Sequence, residues 1–275
     1  MLYKKENFIP KIVIEINKFI CYLCQKNKDM ESIKNRRTIR KYTNQDISSD
    51  FLNALLEEAS RAATMGNLQL YSVIITRDAD MKDRLSPVHF NQPMVKNAPV
   101  VLTFCADFRR VTDWCNLRNA HPGYENFLSF LNAAIDTLLF TQNFCTLAED
   151  KGLGTCFLGT TIYNASELVE ILKLPTLVIP LATITVGYPD EYPKQSDRLP
   201  LEAFIHEEYY HSYTNESLDK FYSLKESLQE NKDFVTINRV ETLAQIFTDI
   251  RYKKSDNEFM SENFIKTLKK QGFLS

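Results

Sequence analysis

From Ser48 onward the apolar positions recur at spacings of three and four. Phe51, Leu52, Leu55, Leu56 and Ala59 fall on one face. The spacing predicts a helix ending near Ala62, with cap-forming residues ahead of it. Residues 63–69 form a polar break with one glycine. Residues 70–76 are β-branched and aromatic and read as a strand. A short helix is expected over 79–86 and a loop from Pro87 to Pro99. Residues 99–106 are apolar on both faces, the pattern of a central strand. Residues 107–123 are polar and read as irregular.

Residues 124–151 carry the longest periodic pattern. Phe127, Phe130, Leu131, Ala134, Ile135, Leu138, Leu139, Phe144 and Cys145 leave almost no polar face. A helix that apolar lies in a core or in a subunit interface. It stops at Gly152-Leu153-Gly154. A third strand follows over 155–158, a short helix over 165–172 and a fourth strand over 179–187. The chain then reads as loop through Arg198-Leu199-Pro200. The last sixty or so residues, from about 215, are helical and strongly charged. Strands and helices mix without regular βαβ alternation, so the class is α+β.

Residues 1–30 stand apart. Their apolar run is broken by Lys11, Glu15 and Lys18, which suits neither a signal peptide nor a membrane span. An amphipathic helical appendage is expected, and Met30 is a possible alternative start. Residues 31–275 form the main domain. Net charge is −2, so no global basic field exists to hold nucleic acid. The six cysteines are scattered, several in apolar runs, which reads as reduced thiols in a cytoplasmic protein. Cys21 and Cys24 form a lone CxxC without a second pair, and no metal site is expected.

The densest chemistry lies in Arg36-Arg37-Thr38-Ile39-Arg40-Lys41, with four cations and a hydroxyl in six positions. Arginine forks match phosphate oxygens, and a hydroxyl adds a neutral donor. In an extended segment Arg36, Thr38 and Arg40 share one face. A phosphate grip and a solvated basic turn both fit these residues. Other devices are missing. Gly152-Leu153-Gly154 precedes a strand and fails the dinucleotide fingerprint. His206 and His211 are five apart and miss the zincin spacing. No Walker sequence and no nucleophile elbow occurs.

Taken with its surroundings, Arg36-Arg37-Thr38-Ile39-Arg40-Lys41-Tyr42 resembles the opening motif of the FMN-dependent nitroreductase family. Arg61 to Gln69, residues 104–108, residues 152–159 and Asp197-Arg198-Leu199-Pro200 resemble later landmarks of its oxygen-insensitive, flavin-reductase-like branch. The resemblance runs from about Glu31 to the C-terminus. It implies a nitroreductase-like fold, a mixed and mainly antiparallel sheet flanked by helices, and a homodimer with flavin at the subunit boundary. It implies FMN as cofactor, with Arg36, Thr38 and Arg198 on its phosphate beside Arg37. It places Arg40 near flavin N1 and O2, and Asn67 and Gln69 at the polar ring edge. Leu158, Gly159 and Thr160 would run beside the isoalloxazine. It further implies hydride transfer from NAD(P)H through flavin to nitroaromatic, quinone or flavin acceptors. Arg251, in a cationic run with Lys253 and Lys254, would hold the extra phosphate of NADPH. The family's lysine two residues before the second phosphate arginine is Ser196 here, and Lys194 is the nearby substitute. Two alternatives stay open: an FMN storage or sensor protein without reductase activity, and a dehydrogenase of another substrate on the same fold.

Overall fold

The computed structural model describes residues 31–274. The expected N-terminal helical appendage, the Cys21–Cys24 pair and Met30 lie outside the described residues. Glu31–Arg36 are the described part of one structural unit and carry the single helical turn α1 (Glu31–Lys34). Everything from Arg37 onward belongs to a second unit.

The second unit is built on four antiparallel strands: β1 (Tyr71–Thr76), β2 (Val100–Asp107), β3 (Gly154–Leu158) and β4 (Val178–Gly187). Their order is β1-β2-β4-β3. Every residue of β2 and β4 is buried, as the doubly apolar pattern of residues 99–106 demands of a central strand. A register shift between Phe104 and Cys105 lets β2 follow β4 along its whole length.

Helix α2 (Ser49–Ala59) starts where Ser48 Oγ accepts the amide of Phe51, and it buries Leu52, Leu55 and Ala59. Helices α3 (Ala79–Val88) and α4 (Pro93–Asn97) lie between β1 and β2. The stretch from Pro87 to Pro99 was expected to be loop. Instead Pro93 opens α4, where a missing amide and a fixed φ favour a helix start. Residues 107–123 also differ from expectation, because Arg109–Leu117 is a helix, α5. Its apolar contribution is slight, with only Val111 and Thr112 buried. Local polar contacts define it instead. Asp107 accepts the Arg110 amide at 3.2 Å, and Arg109 grips Asp113 one turn on at 2.8 and 2.9 Å.

Helix α6 (Phe127–Asp150) crosses the sheet with Phe130, Ala133, Phe140, Phe144 and Ala148 buried. Tyr71 stacks on Phe140 at 4.2 Å, and Phe104 meets both Phe140 and Phe144 edge-on or tilted. Its other side leaves Phe127, Leu128, Leu131, Ile135, Leu138 and Leu139 exposed. At 100° per residue these six fall within roughly a third of the circumference. Helix α7 (Ala165–Ile171) links β3 to β4. The C-terminal region is helical: α8 (Asn215–Ser227), α9 (Gln229–Asn238), the short α10 (Leu243–Gln245), a π-turn over Ile246–Arg251, and α11 (Lys254–Lys270). Beyond α11, Phe273 is fully buried and the Gln271 side chain donates to the carbonyls of Pro175 and Val178.

Candidate functional site

Two glycines bring the cationic segment against the sheet. A Cβ on Gly154 would sit 2.6 Å from the Ile39 side chain, and one on Gly187 would sit 2.7 Å from the Tyr42 ring. Only glycine permits that approach. Thr38 forms a parallel bridge with Thr155 at the start of β3, and the Ile39 amide donates to the Thr155 carbonyl at 3.0 Å. Ile39 is buried, while Arg40 and Lys41 are exposed. Tyr42 anchors the far end of the segment. Its hydroxyl lies 2.7 Å from both the Ile39 carbonyl and Thr185 Oγ1. Burial pushes that phenol above its ordinary range. Glu191, which no sequence pattern singled out, accepts the amides of Arg40 at 2.6 Å and Lys41 at 3.1 Å. Arg37 lies over the Tyr192 ring at 4.2 Å. Of Arg37, Ile39 and Lys41, the three residues expected to share the opposite face, Ile39 alone turns into the core, while Lys41 is exposed beside Arg40 and Arg37 lies over the exposed Tyr192 ring.

The other end of β3 carries the turn Gly159–Thr161. From Thr155 to Gly159 the strand rises about 13 Å at its usual pitch. Leu158 is buried, but Gly159 is exposed, and a Cβ there would meet nothing within 4 Å. The turn thus shows bare backbone to open space. Thr160 points inward, with Oγ1 2.7 Å from Nδ1 of the fully buried His89. Burial holds the His89 imidazole down to about 4, so the ring is neutral near pH 7.

Asn67 and Gln69 sit on the turn between α2 and β1. Both adopt left-handed backbone, at φ 56° and 54°, beside Gly66 at 55°. Gln69 Nε2 donates to the Asn67 carbonyl at 2.9 Å. The turn is clamped from beneath. Asp136 of α6, fully buried, accepts the amides of Met65 at 2.8 Å and Leu70 at 3.1 Å. Arg110 of α5 donates to the carbonyls of Gln69 and of Tyr71. Hydrogen bonds to a charged group contribute about 1.5–3 kcal/mol each, so Asp136 is a principal fastener of this turn. Sequence reasoning missed it. The available signal was a lone carboxylate in the apolar face pattern of α6, which must be partnered when buried.

Arg198 is exposed on the long loop after β4, and its Nη1 donates to the carbonyls of Asp197 at 2.8 Å and Ser196 at 3.4 Å. Asp197 pairs with Lys225 of α8 at 2.8 Å. Lys194 is exposed on the same loop. Arg251 closes the π-turn, with its guanidinium 4.7 Å from the Phe234 ring centre and 5.7 Å from that of Phe247. Arg36 ends the first unit. The structure thus links Thr38 to the strand that ends at Leu158 and leads into the turn of Gly159 and Thr160. It sets Asn67 with Gln69 on a second element, and Arg198 and Arg251 on two others. No helix among the described residues is long and apolar enough to cross a membrane.

Comparison with known proteins bears on this arrangement. The profile of the Nitroreductase family matches residues 33–188. An FMN reductase (NADPH) of Bacillus subtilis is 33% identical over 192 residues, 69% of this chain and 77% of its own length. An oxygen-insensitive NADPH nitroreductase of Salmonella typhimurium is 31% identical over 192 residues, 70% of this chain and 78% of its own. Among solved structures, a Bacteroides fragilis protein provisionally assigned as an oxidoreductase is 63% identical, with a TM-score of 0.88. That match covers 89% of this chain and all of the other. The NfrA1 nitroreductase of B. subtilis is 28% identical with a TM-score of 0.79, covering 89% of this chain and 98% of its own. The sheet, its flanking helices and these matches define an α+β oxidoreductase. The chain belongs to the nitroreductase family.

Proposed function

We propose that the protein binds FMN along the edge strand β3 and passes hydride equivalents from NAD(P)H to nitroaromatic, quinone or flavin acceptors. The observation that carries this reading is the layout of β3. A hydroxyl and cations flank its start, and an open glycine turn ends it about 13 Å away. That span suits an elongated ligand with an anionic end and a planar end. Thr38, Arg37 and Arg198 supply donors for a terminal monophosphate, with Arg36, the preceding residue in the chain, assigned to it by resemblance. When bound, FMN supplies the two-electron chemistry, since its ring accepts a hydride and gives it up again.

The chain's own residues bind and orient. Arg40 supplies a fixed positive charge for the ring edge that becomes negative on reduction. Asn67 and Gln69 present polar groups from a turn that Asp136 and Arg110 hold rigid. The backbone of Leu158, Gly159 and Thr160 is unobstructed at Gly159, where a Cβ would meet nothing within 4 Å, which leaves room for a ring to approach. No acid or base of the protein is required for the transfer. The flavin reading also favours a homodimer, because the Asn67–Gln69 turn is fastened to α6, the helix with the exposed apolar stripe.

The test is purification and flavin titration. The protein should be yellow and should prefer FMN to FAD. Arg198→Ala should weaken FMN binding by about 1.5–3 kcal/mol, the scale of a charged hydrogen bond. A colourless protein that gains no flavin absorbance on adding FMN would sink the reading.

A further inference from the structure

Two turns that are distant in sequence are stitched together behind Gly159. One is the end of α3, residues 86–92; the other is the turn Gly159–Thr161 with the start of α7. His89 Nδ1 lies 2.7 Å from Thr160 Oγ1. Asn164 Nδ2 donates to the Val88 carbonyl at 2.6 Å. Thr161 Oγ1 closes the same turn onto the Leu158 carbonyl at 3.0 Å.

This arrangement is costly. His89 is fully buried, and its Nε2 has no hydrogen-bond partner. A buried polar atom left without a partner is a net cost to the fold. The two residues after it, Phe90 and Asn91, both adopt left-handed backbone at φ 55° and 54°. That conformation is unfavourable for a bulky residue such as phenylalanine. An apolar side chain at position 89 would fill the space without the orphaned nitrogen. Such unrewarded groups concentrate where a structure must hold a site in place.

We propose that His89 is a positioning residue: through Thr160 it fixes the backbone of the Gly159–Thr161 turn, so that the turn presents its amides in one orientation. The inference rests on the flavin reading for the identity of what the turn faces. The bond itself explains why Thr160 is buried while its neighbour Gly159 is open. The hydroxyl is held away from the open side, and only main chain is left there. His89 touches no reacting atom and acts solely through Thr160.

The test compares His89→Ala, Thr160→Val and Thr160→Ser in the full-length chain. Amide hydrogen exchange is measured first, without flavin. His89→Ala and Thr160→Val should each speed exchange of residues 158–164 several-fold and leave β2 and β4 unchanged. Thr160→Ser keeps the hydroxyl and should match wild type. The double variant His89→Ala/Thr160→Val should be no worse than either single one, because both break the same contact. In the flavin-loaded protein the two disruptive variants should slow anaerobic flavin reduction by NADPH about tenfold, within the range that small misplacements of a site produce. Unchanged exchange at 158–164 in both variants overturns the proposal, as does exchange raised equally across the whole sheet. If His89→Ala fails to fold, Thr160→Val decides alone. A wild-type chain that binds no flavin would refute the functional reading, while the exchange result would still decide the role of His89.

Discussion

A neutral histidine sealed in the interior makes the protein sensitive to mild acid. The His89 pKa falls from 6.5 to about 4 because burial penalises the charged ring. The unfolded chain therefore binds more protons than the folded one between those values. Stability rises with pH through that window, is fully present above about 6.5 and is lost as pH falls towards 4. At 1.36 kcal/mol per unit the contribution is on the order of 3 kcal/mol. Urea unfolding from pH 7 down to pH 4 should lose that much more stability in wild type than in His89→Gln. Parallel pH profiles for the two would contradict the assignment. His89 also shows the limit of reading single residues from sequence. Thr38, Asn67, Gln69 and Gly159 could be singled out as candidates because they stand in spaced motifs. His89, Asp136 and Glu191 stand in no motif, and their importance comes from partners 71, 66–71 and 150–151 residues away.

At the scale of elements, periodicity located all four strands and the long helix because each carries a strong apolar signal. It failed where polar contacts make the helix. Helix α5 buries only two residues and is held by Arg109–Asp113 and the Asp107 cap, and α4 is a short turn opened by proline. The exposed stripe of α6 was also visible in sequence as a helix with almost no polar face. The fold accounts for its inner half, and the outer half, Phe127 to Leu139, calls for a partner surface. A homodimer should follow, with Ile135→Glu weakening it by about tenfold to a hundredfold, the equivalent of one buried aliphatic side chain. Light scattering at micromolar concentration checks this. A wild-type chain that is monomeric while loaded with flavin would refute it.

At the scale of the whole molecule, β3 is the axis. Gly154 and Gly187 admit the cationic segment at its start, Gly159 leaves main chain open at its end, and the turn bearing Asn67 and Gln69 is tied to α6. None of this tertiary arrangement could be read from residue patterns. The family resemblance picked out candidate site residues, and the structure shows what holds Thr38, Thr160 and the Asn67–Gln69 turn in place. Arg251 lies apart on the C-terminal helices, stacked on Phe234 and Phe247. If it grips the extra phosphate of NADPH, Arg251→Ala should raise the Michaelis constant for NADPH several-fold and leave NADH turnover nearly unchanged. Equal effects on both nucleotides would make it a packing residue only. The central claim is that this chain carries hydride from a nicotinamide through a bound FMN. Anaerobic titration of the FMN-loaded protein with NADPH tests it most directly. The yellow absorbance should bleach with about one equivalent of NADPH and return when a quinone or nitroaromatic is added. A bound flavin that stays oxidised in excess NADPH and NADH would contradict it.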